Sequence, residues 1–177
     1  MTTPTLVARP TVYEGIHMRS RMEARVAAYL DGLGWPWEYE PRAYASGGIQ
    51  YLPDFEVRPW DGGPTMYLEV KGAHPTLDEL DALLRRMRVI RSADPRAWLA
   101  VCSEGTISHG RFGFCGPGED FWHERYVIRC PDHPMWVAAV QSSDDTVAPW
   151  CPACDPGREV LVKWWDALDH IMREGNL

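Results

Sequence analysis

YLPDFEVRPWDGGPTMYLEVKG, residues 51–72, decides the fold class. Apolar and polar residues alternate well enough through 51–58 and again through 65–71 to predict two strands, and Asp61-Gly62-Gly63-Pro64 turns the chain between them. On the second strand Met66, Leu68 and Val70 share one face, while Tyr67, Glu69 and Lys71 share the other. Glu69 and Lys71 therefore project together. Asp54 precedes Glu69 with fourteen residues between them. Two such carboxylates can share a divalent cation, Mg²⁺ or Mn²⁺, which polarises a phosphoryl oxygen or lowers the pKa of a bound water. A lysine beside them can place the attacking water or offset developing charge. The set suits metal-assisted phosphodiester hydrolysis.

Working outward, Met22, Val26, Tyr29, Leu30 and Leu33 recur at helical spacing and predict a helix over 18–33, stopped by Gly34. Glu23 falls at the edge of that stripe. Residues 1–14 read as extended or loose, 37–44 as a short strand, and Ser46-Gly47-Gly48 as a turn. A helix is expected over 76–91, with Leu77, Leu80, Leu84 and Met87 as its apolar stripe. Thr76 and Glu79 have the spacing of a capping box. RAWLAVC, residues 96–102, reads as a buried strand with Cys102 in the core.

Pro53-Asp54 with Glu69-Val70-Lys71 resembles the PD-(D/E)XK nuclease superfamily, and so do Arg19-Ser20-Arg21-Met22-Glu23 and Tyr39-Glu40-Pro41. The resemblance covers roughly residues 15–105. It implies an α/β, restriction-endonuclease-like core, with a mixed central sheet flanked by helices, in a Mg²⁺-dependent DNA endonuclease. Asp54 and Glu69 would hold the metal, joined by the backbone carbonyl of Val70, and Lys71 would assist the water. Glu23 would bind a second metal or orient water, with Glu40 a second choice for that task. Arg19, Arg21 and Arg25, and Arg85, Arg86, Arg88 and Arg91, are candidates to grip phosphates, with His74 a lesser one. Relatives commonly dimerise or serve larger nucleoprotein complexes. The small size suits a phage or mobile-element enzyme acting on branched or flapped DNA.

The remainder changes character. Residues 105–118 read as irregular, 121–129 and 135–140 as two strands, and 160–174 as an amphipathic helix. Cys130-Pro131-Asp132-His133 and Cys151-Pro152-Ala153-Cys154 form C-x₂-H and C-x₂-C, seventeen residues apart. Cys130, His133, Cys151 and Cys154 can close a tetrahedron around a structural Zn²⁺, as in a zinc ribbon. If His133 is not a ligand, Cys115, His109 or His123 could complete the set. A thiol redox role for Cys151 and Cys154 is the alternative. The chain thus divides into a nuclease-like core over 1–105 and a zinc-ribbon-like module with a C-terminal helix over 106–177.

The net charge of −7 is uneven. Residues 1–100 carry 12 Lys and Arg against 13 Asp and Glu, and residues 101–177 carry 6 against 12. The acidic balance argues against strong nonspecific DNA binding, but the core is near neutral and a bound Mg²⁺ would change the local sign. An odd count of five cysteines argues against a disulfide framework. No apolar run approaches the ~18 residues of a membrane span, and the N-terminus lacks the segments of a signal peptide. The expected location is cytoplasmic, in the host if phage-encoded. Two other functions fit the sequence. One is a noncatalytic nucleic-acid- or protein-binding module, with exposed Trp35, Trp37, Trp150 and Trp164 as contacts. The other is a metal-dependent hydrolase of a different phosphodiester.

Overall fold

The first described elements form a hairpin, whose first strand falls in the stretch read as extended or loose. β1 (Thr11–Tyr13) pairs antiparallel with β2 (Ile16–Met18). Glu14 (φ 46°) and Gly15 (φ 79°) supply the two positive φ angles that a tight two-residue hairpin needs. Glu14 hid the signal, since only its glycine neighbour favours that conformation. This computed structural model describes residues 9–58, 65–104, 111–115, 123–129, 136–141, 146–149 and 162–163.

Helix α1 (Arg21–Gly32) starts later than predicted because Ser20 caps it. The Ser20 side chain accepts from the Glu23 amide, and the Glu23 carboxylate accepts from the Ser20 amide. At the far end Asp31 accepts from the Tyr13 hydroxyl (2.7 Å) and the Trp37 indole (2.8 Å), which ties the first hairpin and β3 (Trp37–Tyr39) to the helix. The strand expected over 37–44 stops at Tyr39. β4 (Tyr44–Ser46) and β5 (Ile49–Tyr51) form a separate hairpin around Gly47 and Gly48. The strand expected over 51–58 is accordingly broken at Leu52-Pro53, and only β6 (Phe55–Val57) joins the main sheet.

β7 (Met66–Lys71) pairs antiparallel with β6 and parallel with β8 (Trp98–Ser103). Helix α2 (Leu77–Met87) is the crossover between these parallel strands. It carries the predicted Thr76–Glu79 capping box and tightens into a 3₁₀ turn over Arg88–Ser92. β9 (Arg111–Cys115) falls where irregular chain is predicted. β10 (His123–Arg129) and β11 (Trp136–Gln141) are the two strands expected there. β12 (Thr146–Pro149) and β13 (Val162–Lys163) follow, so Val162 and Lys163 pair as a strand where the amphipathic helix is predicted to begin. The rest of that helix lies outside the described residues. The described strands give a mixed nine-stranded sheet in the order β13-β12-β11-β10-β9-β8-β7-β6-β3, which runs on across residue 105.

Alternation on β7 and β8 sorts the core into two layers. Met66, Leu68, Ala100 and Cys102 pack with Met22, Val26, Ala27 and Leu30 of α1. Tyr67, Leu99 and Val101 pack with Leu83, Leu84 and Met87 of α2 and with Tyr44 and Tyr51 of the β4–β5 hairpin. Burial pushes the Cys102 thiol pKa far up, as its predicted place in the core requires. Two expectations fail at the edges. Leu77 is 82 % exposed, because the stripe on α2 turns inward only from Leu80. Trp35 is buried against α1, not exposed, because Gly34 turns the chain back over the helix and the Trp35 amide donates to the Leu30 carbonyl. No helix among the described residues is long and apolar enough to cross a membrane.

Candidate active site

The β6–β7 register brings the acids together. Phe55 pairs with Leu68, so one step further Asp54 comes opposite Glu69. Residues opposite each other in an antiparallel pair share a face. Both carboxylates are buried, at 4 % and 8 % exposure. Asp54 Oδ2 accepts from the Val70 amide at 2.7 Å. Lys71 Nζ lies 2.7 Å from Glu69 Oε1, as the two-residue spacing predicts. The structure therefore gathers Asp54, Glu69, Val70 and Lys71 at the end of adjacent strands.

Glu23 sits at the edge of the same centre. The hydrogen bonds of its carboxylate among the described residues all fall on Oε2, which accepts from the Tyr39 hydroxyl (2.6 Å) and the amides of Arg19 (2.9 Å) and Ser20 (3.3 Å). Its placement is thus set by helix capping. Glu40 follows β3 with φ 46°, and its amide donates to the Asp54 carbonyl. That backbone aims the Glu40 carboxylate at Arg19 Nε, 2.9 Å away. Arg19 Nη2 in turn lies 2.5 Å from Asp54 Oδ1.

Two tyrosines escaped the sequence reading. Tyr51 is 2 % exposed and donates its hydroxyl to Glu69 Oε2. Burial, and then the Glu69 charge, raise its pKa well beyond the ordinary value, so it stays a donor at any working pH. The Arg86 guanidinium lies 5.4 Å from the Tyr51 ring centre, within cation–π range. Tyr39 holds Glu23 in the same way. Neither tyrosine carries a local signal beyond its place in Tyr39-Glu40-Pro41 or at the start of the 51–72 stretch. Of the other predicted phosphate contacts, Arg25 pairs with Glu104 (3.0 Å) and Arg91 donates to the Cys115 carbonyl (2.9 Å). Arg91 also lies 3.4 Å from the Cys115 sulfur.

Burial, and then repulsion from Glu69, hold the Asp54 carboxyl up at about 7. The Val70 amide and Arg19 act the other way. Two hard oxygen donors that repel each other in a poorly solvated place are a fitting start for a divalent cation. Among the described residues no three His, Cys, Asp or Glu side chains form a metal-binding group. A cation here would accordingly draw on Asp54, Glu69, the Val70 carbonyl and water. The proposed zinc ligands Cys130, His133, Cys151 and Cys154 lie outside the described residues, as do His109, Trp150 and Trp164. No protein-family model, curated protein or solved structure matches the chain.

Proposed function

We propose that the chain is a Mg²⁺- or Mn²⁺-dependent DNA endonuclease built on a restriction-endonuclease-like core, with a zinc-ribbon-like module beyond it. One observation carries this reading: Asp54, just before β6, comes opposite Glu69 on the neighbouring β7, with Lys71 bonded to Glu69. When bound, the metal would supply Lewis acidity and an activated water. Asp54, Glu69 and the Val70 carbonyl would hold it. Tyr51 fixes the orientation of Glu69, as outer hydrogen bonds commonly do for metal-ligating carboxylates. Lys71 would orient water or stabilise the charge that grows on the phosphoryl oxygens. Glu23, immobilised by Tyr39 and the cap, would be a fixed negative charge beside the centre.

The test is a cleavage assay on linear, nicked, flapped and four-way-junction DNA, with Mg²⁺, Mn²⁺ or EDTA. Wild type should cut only with metal, and Lys71→Ala should cut at least ~10²-fold more slowly. Cleavage in EDTA, or an undiminished Lys71→Ala rate, would sink the reading. For the zinc module, Cys151→Ser should lower both bound zinc, by metal analysis, and thermal stability, since structural zinc binding is coupled to folding.

A second reading rests on charge pairing. Arg19 neutralises Asp54, and Lys71 neutralises Glu69, without any metal. A noncatalytic DNA- or protein-binding scaffold could keep such pairs for structure alone. It predicts no cutting of any substrate by wild type.

A further inference from the structure

Arg19 is tied to acids at both ends of the residue. Its backbone amide donates to Glu23 Oε2 (2.9 Å) and the Tyr39 hydroxyl (3.1 Å), which pins the Cα beside the site. Its guanidinium spans Glu40 Oε1 (2.9 Å) and Asp54 Oδ1 (2.5 Å). The side chain is nevertheless 58 % exposed. A fixed base with an exposed arm can change partner without disturbing the core. The acid that holds the arm is itself held under strain. Glu40 is a non-glycine residue at φ 46°, a strained conformation that persists only where its surroundings enforce it. Here the enforcing contact is the bond from the Glu40 amide to the Asp54 carbonyl. Strain, ion pair and candidate metal ligand thus meet at one point.

We propose that Arg19 occupies the cation position at Asp54 in the resting protein and passes to a backbone phosphate of the nucleic acid when a divalent ion binds there. This rests on the nuclease reading above. Asp54 faces the charge of Glu69 and needs a positive neighbour. Arg19 supplies one that never deprotonates. A divalent ion carries twice the charge and competes for the same Oδ1 atom. Once displaced, the guanidinium keeps a planar fork that suits two phosphate oxygens, and its anchored Cα keeps it within reach of the metal. Metal and substrate would then assist each other, because each removes a reason for Arg19 to stay on Asp54. Glu40 is the latch, holding Arg19 in place and releasing it without touching the metal.

The experiment titrates Mn²⁺, with no nucleic acid, into metal-free wild type, Arg19→Met and Glu40→Gln, following binding by calorimetry and folding by circular dichroism. Removing a competitor that occupies the site in most molecules should tighten Mn²⁺ binding by about tenfold or more in Arg19→Met, whereas Glu40→Gln, which loosens Arg19 but keeps it, should tighten it by less. Duplex DNA binding in Ca²⁺ should then separate them. Arg19→Met should weaken it and reduce its salt slope by about one, whereas Glu40→Gln should leave it at least as strong. Unchanged or weaker Mn²⁺ binding by folded Arg19→Met overturns the hand-off and leaves the nuclease reading standing. Absence of Mn²⁺ binding in all three proteins removes both.

Discussion

Asp54→Asn should reduce cleavage by at least ~10³-fold and, at pH 8, make the metal-free protein more stable. The two effects share a cause. Asp54 is placed for what it would bind, in surroundings that disfavour its charge. Its carboxyl sits at about 7 in the fold against an ordinary 3.8, through burial first and Glu69 second. Near pH 4 the folded state keeps this proton while the unfolded chain begins to release it. Stability is therefore lost as pH climbs from about 4 to 7, and the loss is complete above the folded value. Asn has no proton to lose and still offers an oxygen to the Val70 amide. Its advantage should be absent near pH 4, grow through neutrality and level off by pH 8. The folded value already includes the opposing pull of Arg19 and the Val70 amide, so the net gain should appear as a rise of at least ~2 °C in melting temperature at pH 8. Melting curves at pH 4, 6 and 8 check this. An Asn variant less stable than wild type at pH 8 would mean that Arg19 and Val70 outweigh burial and Glu69. Saturating Mg²⁺ should reverse the order, since only wild type keeps both carboxylate ligands.

Phe55→Ala should be the most damaging single truncation near the site, at about 3–5 kcal/mol. Phe55 is fully buried, and its ring meets Trp37 at 5.6 Å and Tyr39 at 5.4 Å, both edge-on. Such pairs add to simple burial. It also adjoins Asp54 in the chain, and Tyr39 carries the hydroxyl that fixes Glu23 and the Arg19 amide. A cavity at Phe55 would loosen both walls of the site together. Urea unfolding measures the loss, and a domain with ordinary stability of roughly 5–15 kcal/mol would keep little margin. Leu77→Ala is the control. Leu77 is a large apolar residue that the helical stripe marks as core, yet it is 82 % exposed and should change stability by no more than ~0.5 kcal/mol. A large Leu77 effect would mean that something covers that end of α2.

The contrast between Phe55 and Leu77 shows where sequence reasoning holds. Side-chain spacing and capping signals carried by a few neighbouring residues were legible. The two-residue spacing put Lys71 beside Glu69, the Thr76–Glu79 box starts α2, and the double-faced β7 lies inside the sheet. That Asp54 and Glu69 could share one cation was read from their chemistry and order, and the β6–β7 register brings them opposite each other. What the sequence left open was set by contacts between segments far apart in the chain. Arg19 reaches Asp54 across 35 positions, and Tyr51 reaches Glu69 across 18. Neither residue type nor local spacing encodes such partners. The same holds for Glu23, whose acid role was read from its order in the chain while its position is fixed by a helix cap and Tyr39. Backbone conformation is the other blind spot. Positive φ angles at Glu14 and Glu40 produced a hairpin and an aimed carboxylate that glycine-based turn signals do not announce. Local chemistry determined the elements and two of the acids. Only tertiary packing decided which cation sits on them, because that choice is a competition among charges that meet only when the chain is folded.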